Sequence, residues 1–142
     1  MNKATDPAAL LESALLDALG PACLLGEDAK TLFSTDVYGE GIAPALVVRP
    51  QSQEQVADAV RIATTAGWAV TQRGGGMSYT GGYLPTQPNT VMLDLSGLNR
   101  IVSINQEDLV ITVEAGVTWQ QIWEALTPRG LRLPFFGTFS GS

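Results

Sequence analysis

Three consecutive stretches constrain the fold of this chain more than any other feature. "ALVVRP" (Ala45–Pro50) is a short β-rich run ended by a proline, as a buried strand would be. "SQEQVADAVRIATTAG" (Ser52–Gly67) places Val56, Ala59, Val60 and Ala63 on one helical face. Ser52 and Gln55 stand in capping-box register, and Gly67 occupies the position of a C-terminal cap glycine. "WAVTQR" (Trp68–Arg73) is a second β-type run. Strand, helix and strand of these lengths make a βαβ unit, so the two strands are expected to be parallel with a right-handed crossover.

The flanks carry weaker signals. Asp6–Pro7 is a helix-start pair, followed by Leu10, Leu11, Ala14, Leu15, Ala18 and Leu19 on one expected face and by the stop Gly20–Pro21. Ala22–Pro44 reads as loop with one short helical turn near Glu27–Thr31. Beyond the central unit, "TVMLDL", "RIVSI" and "LVITVEA" are three β-type runs, the last two forming an expected antiparallel hairpin about the turn Asn105–Asp108. Thr118 and Gln121 cap a short helix, "WQQIWEAL", with Ile122, Ala125 and Leu126 as its apolar side; Pro128–Gly130 ends it and "LRLP" is a brief extended piece. The class is α+β. The chain divides into a helical lead-in, 1–43, and a main part, 44–142. "FFGTFSGS" at the end has nothing after it to pack against, so the chain is expected to be an N-terminal piece of a longer domain.

Composition removes several function classes. The formal charge of −6 disfavours a general nucleic-acid surface. Histidine is absent, which takes away the commonest metal ligand and general base, and with them zinc and Ser-His-Asp chemistry built from this chain alone. The single cysteine, Cys23, forbids an internal disulfide framework, suits a reducing compartment such as the cytoplasm, and reads as a small buried apolar residue. No run approaches the roughly 18 apolar residues of a membrane span, and Asp6, Glu12 and Asp17 interrupt the N-terminal stripe, which reads as an amphipathic helix.

The second β run leads straight into "RGGGMSYTGG", five glycines between Gly74 and Gly82. Bare backbone lets several N–H groups face one anion. A phosphate loop needs a lysine after its last glycine, but Gly82 and Tyr83 follow Gly81. A Rossmann turn needs glycine where Tyr79 stands. Both put the anion on a helix N-terminus, yet Pro85, Pro88 and Asn89 follow, so this loop runs on to another strand and any anion sits in a backbone nest. The alternative is a plain surface turn whose glycines meet positive-φ demands; the length of the coil favours function. Arg73 also has a bland reading, as a surface charge or ion-pair partner. Trp119 and Trp123, at i, i+4 spacing, read as packing residues and Asp94 as a structural turn residue.

From Pro44 to Ser142, with the lead-in "LFSTDVYGEGIAP", the order and spacing of these segments resemble the FAD-binding domain of the p-cresol methylhydroxylase/vanillyl-alcohol oxidase superfamily. The resemblance implies a PCMH-type domain of two α+β subdomains, here the first and the start of the second. It implies that Arg73, Gly74, Gly75, Gly76, Met77 and Ser78 wrap the FAD pyrophosphate, with Gly81 and Gly82 completing the loop. Pro134, Gly137, Thr138 and Ser140 match a second loop that approaches the cofactor. Many relatives carry a flavin-linking histidine where this chain has Met77, so the FAD is expected to be non-covalent at this loop. The family holds its small-molecule substrate and base mainly in a C-terminal domain absent here, so no catalytic residue is assigned. The implied activity is hydride transfer from a 2-hydroxy acid such as D-lactate or glycolate to FAD, the electron acceptor being left open. Two alternatives stand beside it: oxidation of a sugar alcohol or aldonolactone, and a non-catalytic FAD- or nucleotide-binding fragment.

Overall fold

The computed structural model describes residues 6–37 and 39–137. Helix α1 (Pro7–Leu19) begins on Asp6, whose side chain accepts from the Ala8 N–H, and stops at Gly20. A 3-10 turn (Pro21–Cys23) leads to the two-residue strand β1 (Leu24–Leu25) and to helix α2 (Glu27–Leu32). Strand β2 (Leu46–Val48), helix α3 (Gln53–Thr65) and strand β3 (Ala69–Arg73) form the expected unit, and β4 (Thr90–Asp94) follows the glycine loop. The sheet order is β1-β2-β4-β3, with β1 antiparallel and the other three strands parallel. The two strands of the unit are thus parallel but not neighbours, because β4 lies between them.

The central strands alternate faces as the period of two requires. Leu46, Val48, Val91 and Leu93 pack against Leu11, Leu15 and Leu19 of α1 and Ala59 and Ala63 of α3. Val47 and Met92 point to the opposite face, onto Phe33 and Tyr83. Tyr83, at the end of the glycine loop, is therefore part of a core.

Three expectations need correction. Leu10, Ala14 and Ala18 are exposed, not on the buried face of α1. The helix meets the rest of the fold along the narrower stripe Leu11–Leu15–Leu19, and Leu10 and Ala14 line an open groove beside Ile62 and Trp68 of the α3 side. Only half of the Ser52 capping box forms. The Ser52 side chain accepts from the Gln55 N–H, but the Gln55 carboxamide accepts from the Gln51 N–H and donates to the Leu19 carbonyl. The stretch 22–44, read as loop with a helical turn, contributes β1 as well as α2; two residues are too few to leave a period.

A 3-10 turn (Leu95–Gly97), whose N-cap is the buried Asp94, connects β4 to the hairpin β5 (Ile101–Asn105) and β6 (Val110–Val113). Asp94 also pairs with Arg49, Nε to Oδ2 at 2.7 Å, so it has the structural role expected of it. The base of the hairpin is closed by Arg100 and Glu114: the guanidinium donates to Oε1, and the Arg100 backbone N–H donates to Oε2 at 2.8 Å. These bonds hold the Glu114 carboxyl below its ordinary range, the Arg100 side chain first, its backbone second, with burial opposing. Helix α4 (Trp119–Leu126) has the full capping box between Thr118 and Gln121 and buries Ile122 and Leu126. No helix among the described residues is long and apolar enough to cross a membrane.

Candidate functional site

Strands β2, β4 and β3 run the same way, so their C-terminal ends open on one edge of the sheet. In open parallel sheets this is the edge where ligands bind. The glycine loop leaves β3 there, directly after Arg73, which stands in register with Asp94. The hairpin docks at the same edge: the Gly116 N–H donates to the Leu98 carbonyl, and the Ala115 carbonyl closes over Gly74, 3.3 Å from where a Cβ would stand.

Arg73 does not extend into solvent. Its guanidinium carbon lies 4.6 Å from the centroid of the Phe33 ring and 5.4 Å from that of Tyr83. Its Nε–H is buried with no hydrogen-bond partner among the described residues. Gly76 lies directly over this cation with φ +80°, and a Cβ there would overlap the guanidinium. The Tyr83 hydroxyl sits 2.9 Å from the Thr35 carbonyl and 3.1 Å from that of Gly76, its one proton shared between them. The loop therefore rests on a positive charge held between two aromatic rings, an arrangement that favours a cation and disfavours its hydration. Arg73 makes no ion pair among the described residues, so neither bland reading describes it.

The N–H groups of the loop fall into two sets. Those of Gly74, Gly75, Gly76 and Met77 have no acceptor among the described residues. Those of Gly81 and Gly82 are engaged: Gly81 donates to Asp36 Oδ2 at 2.9 Å and Gly82 to Ser78 Oγ at 3.0 Å. Ser78 Oγ accepts in that bond and still has its own proton to donate. Met77 is 36% exposed on the loop.

The second loop is placed in part. Thr138 and Ser140 lie outside the described residues. Pro134 is exposed at the rim of an apolar groove of about 390 Å³ lined by Ile104, Leu109, Leu126 and Leu131. Gly137 lies so close to the Trp119 indole that a Cβ would overlap it, and Trp119 also meets Phe135 edge-on with ring centroids 6.2 Å apart. Trp119 is thus a packing residue as expected, whereas Trp123 is half exposed. Cys23 is buried, its thiol 3.6 Å from Gln55 Oε1.

Sequence reasoning missed Phe33, Asp36 and Tyr83. Phe33 and Asp36 lie in the low-periodicity lead-in, about forty residues before the loop they support, and nothing local marks them. Tyr83 offered a signal, an aromatic residue directly after the last loop glycine.

Four N–H groups without an acceptor among the described residues, the Ser78 hydroxyl proton and a ring-held guanidinium with a buried Nε are a donor set for a diphosphate. They fit the pyrophosphate of FAD. The comparisons with known proteins bear on the family and the fold. The D-lactate dehydrogenase (cytochrome), mitochondrial, of Kluyveromyces lactis is 38% identical over 109 residues, 75% of this chain and 19% of the relative. The chain thus spans about a fifth of that relative's length. Among solved structures, 4-ethylphenol oxidase from Gulosibacter chungangensis superposes with a TM-score of 0.83 at 26% identity, covering 97% of this chain and 28% of that one. p-Cresol methylhydroxylase superposes with a TM-score of 0.81 at 25% identity, covering 95% and 27%. The family model described as FAD binding domain matches residues 44–142. This chain therefore belongs to the FAD binding domain family, with a PCMH-type α+β fold.

Proposed function

We propose that this chain is the cofactor-holding part of an FAD-dependent oxidoreductase that takes a hydride from a D-2-hydroxy acid such as D-lactate or glycolate. The observation that carries the cofactor reading is the run of four N–H groups, Gly74–Met77, without an acceptor among the described residues, above the ring-held guanidinium of Arg73. The substrate class rests on the likeness to the D-lactate dehydrogenase.

When bound, FAD supplies the hydride acceptor, which no side chain of this kind can provide. The chain's own residues bind and orient. Gly74–Met77 donate N–H groups to pyrophosphate oxygens, the Ser78 hydroxyl adds one donor, and Arg73 supplies positive charge from below without leaving its rings. Gly81 and Gly82 act by shaping the loop, since their N–H groups are already engaged. Pro134, Gly137, Thr138 and Ser140 form the second approach to the cofactor. Attachment at this loop is non-covalent: Met77 offers a thioether, not a ring nitrogen, at the exposed crest. The substrate, its base and the electron acceptor are met by other parts of the enzyme, and no catalytic residue is assigned to this chain.

The purified full-length enzyme is expected to be yellow, and acid precipitation should release its flavin into the supernatant. Adding D-lactate or glycolate should bleach the flavin absorbance. Uptake of FAD without bleaching by any 2-hydroxy acid overturns the substrate class. Flavin that stays with the precipitate and maps to a peptide of residues 74–82 overturns non-covalent binding at this loop, and failure to take up FAD overturns the whole reading.

A further inference from the structure

The lead-in reaches the glycine loop at three points: Phe33 under Arg73, the Thr35 carbonyl at the Tyr83 hydroxyl, and Asp36 at Gly81. The third is chemically the most demanding. Asp36 Oδ1 accepts from the Gly39 N–H and Oδ2 from the Gly81 N–H, both at 2.9 Å, the second bond spanning 45 residues and partly buried. Both carboxylate oxygens face donors. An acid is required there, because an amide carries one acceptor and one donor, and either orientation of an asparagine would set its NH2 against a backbone N–H.

We infer that Asp36 is a positioning residue for flavin binding: it ties the lead-in turn to the second half of the loop and so holds the Gly74–Met77 N–H groups in the array that receives the pyrophosphate. The inference rests on reading this loop as the pyrophosphate site. A carboxylate beside an anion site disfavours a second anion by charge alone, so its presence is explained by what it holds in place. The bonds of Gly82 to Ser78 and of Gly81 to Asp36 restrict the second half of the loop. That lowers the ordering cost of binding in this half of the loop.

The test compares the full-length wild type, D36N and D58N. Asp58 is a partly exposed residue of α3, paired with Arg61, and its replacement changes net charge equally without touching the loop. In the ligand-free proteins, D36N should raise backbone hydrogen exchange across Gly74–Tyr83 and leave β4 unchanged; D58N should alter neither. In FAD titrations, D36N should weaken binding about tenfold, the effect of one lost charge-assisted hydrogen bond, and D58N should match wild type. Wild-type exchange in the D36N loop, or unchanged FAD affinity, overturns the inference. A rise across β4 as well would make Asp36 a general stability residue and also overturn it. Wild-type protein that takes up no FAD would sink the flavin reading instead, leaving the exchange comparison to judge the clamp.

Discussion

Replacing Gly76 with alanine isolates the contact on which the loop depends. The backbone at Gly76 has φ +80°, a conformation that costs an L-residue about 1–2 kcal/mol. The added methyl would also overlap the Arg73 guanidinium, so the cation must leave the Phe33 and Tyr83 rings or the loop must lift. Losing the two ring contacts costs about 0.5–1 kcal/mol each. The sum is roughly 2–4 kcal/mol, and the loop can take it locally, because only Gly76, not a strand, has to move. At about 1.4 kcal/mol per tenfold, FAD should bind at least about thirtyfold more weakly. Quenching of FAD fluorescence measures this, with the urea midpoint followed in parallel to detect any global share. Gly82→Ala is the matched control. Its Cβ would stand 3.6 Å from Ser78 Oγ and Thr80 Oγ1, ordinary contact, and alanine keeps the N–H. If the two variants bind FAD alike, the account of Arg73 and Gly76 is wrong.

Further outcomes follow from the same geometry. Arg73→Met keeps an apolar chain between the rings but removes the charge; FAD affinity should fall about tenfold or more, and its dependence on ionic strength should flatten. Glu114 has a folded pKa below its unfolded value, so the stabilisation is present at neutral pH, is eroded as pH drops below about 4.3, and is gone once pH passes below the folded pKa. Glu114→Gln should remove that part of the acid branch, seen as a shallower fall of the thermal midpoint between neutral pH and pH of about 3. Leu15→Ala, at a side chain 1% exposed, should cost about 2–5 kcal/mol in urea denaturation, whereas Leu10→Ala, 59% exposed, should stay within about 0.5 kcal/mol.

Legibility in the sequence followed the range of the interaction. Asp6, Ser52 and Thr118 each announce a helix start because a cap acts across two or three residues. The parallel relation of β2 and β3 could be read from the helix between them, but not the insertion of β4, since that placement is decided by which strand covers which and leaves no local trace. The face of α1 was read too wide for the same reason: Leu10 and Ala14 have the helical phase of a core position, yet the neighbouring α3 is not close enough to cover them.

By itself, the amino-acid sequence marked the loop to which the flavin site is assigned, but not the residues that support it. Bare backbone at Gly74–Gly76, followed by prolines that forbid a helix, already puts any anion held there in a backbone nest and not on a helix N-terminus. Only the tertiary structure decided which N–H groups remain available. Asp36 and Ser78 take those of Gly81 and Gly82, while Phe33 and Tyr83 draw Arg73 beneath Gly76. Hydrogen-bond satisfaction and cation placement depend on distances between residues far apart along the chain, and those distances exist only once the lead-in has folded against the loop.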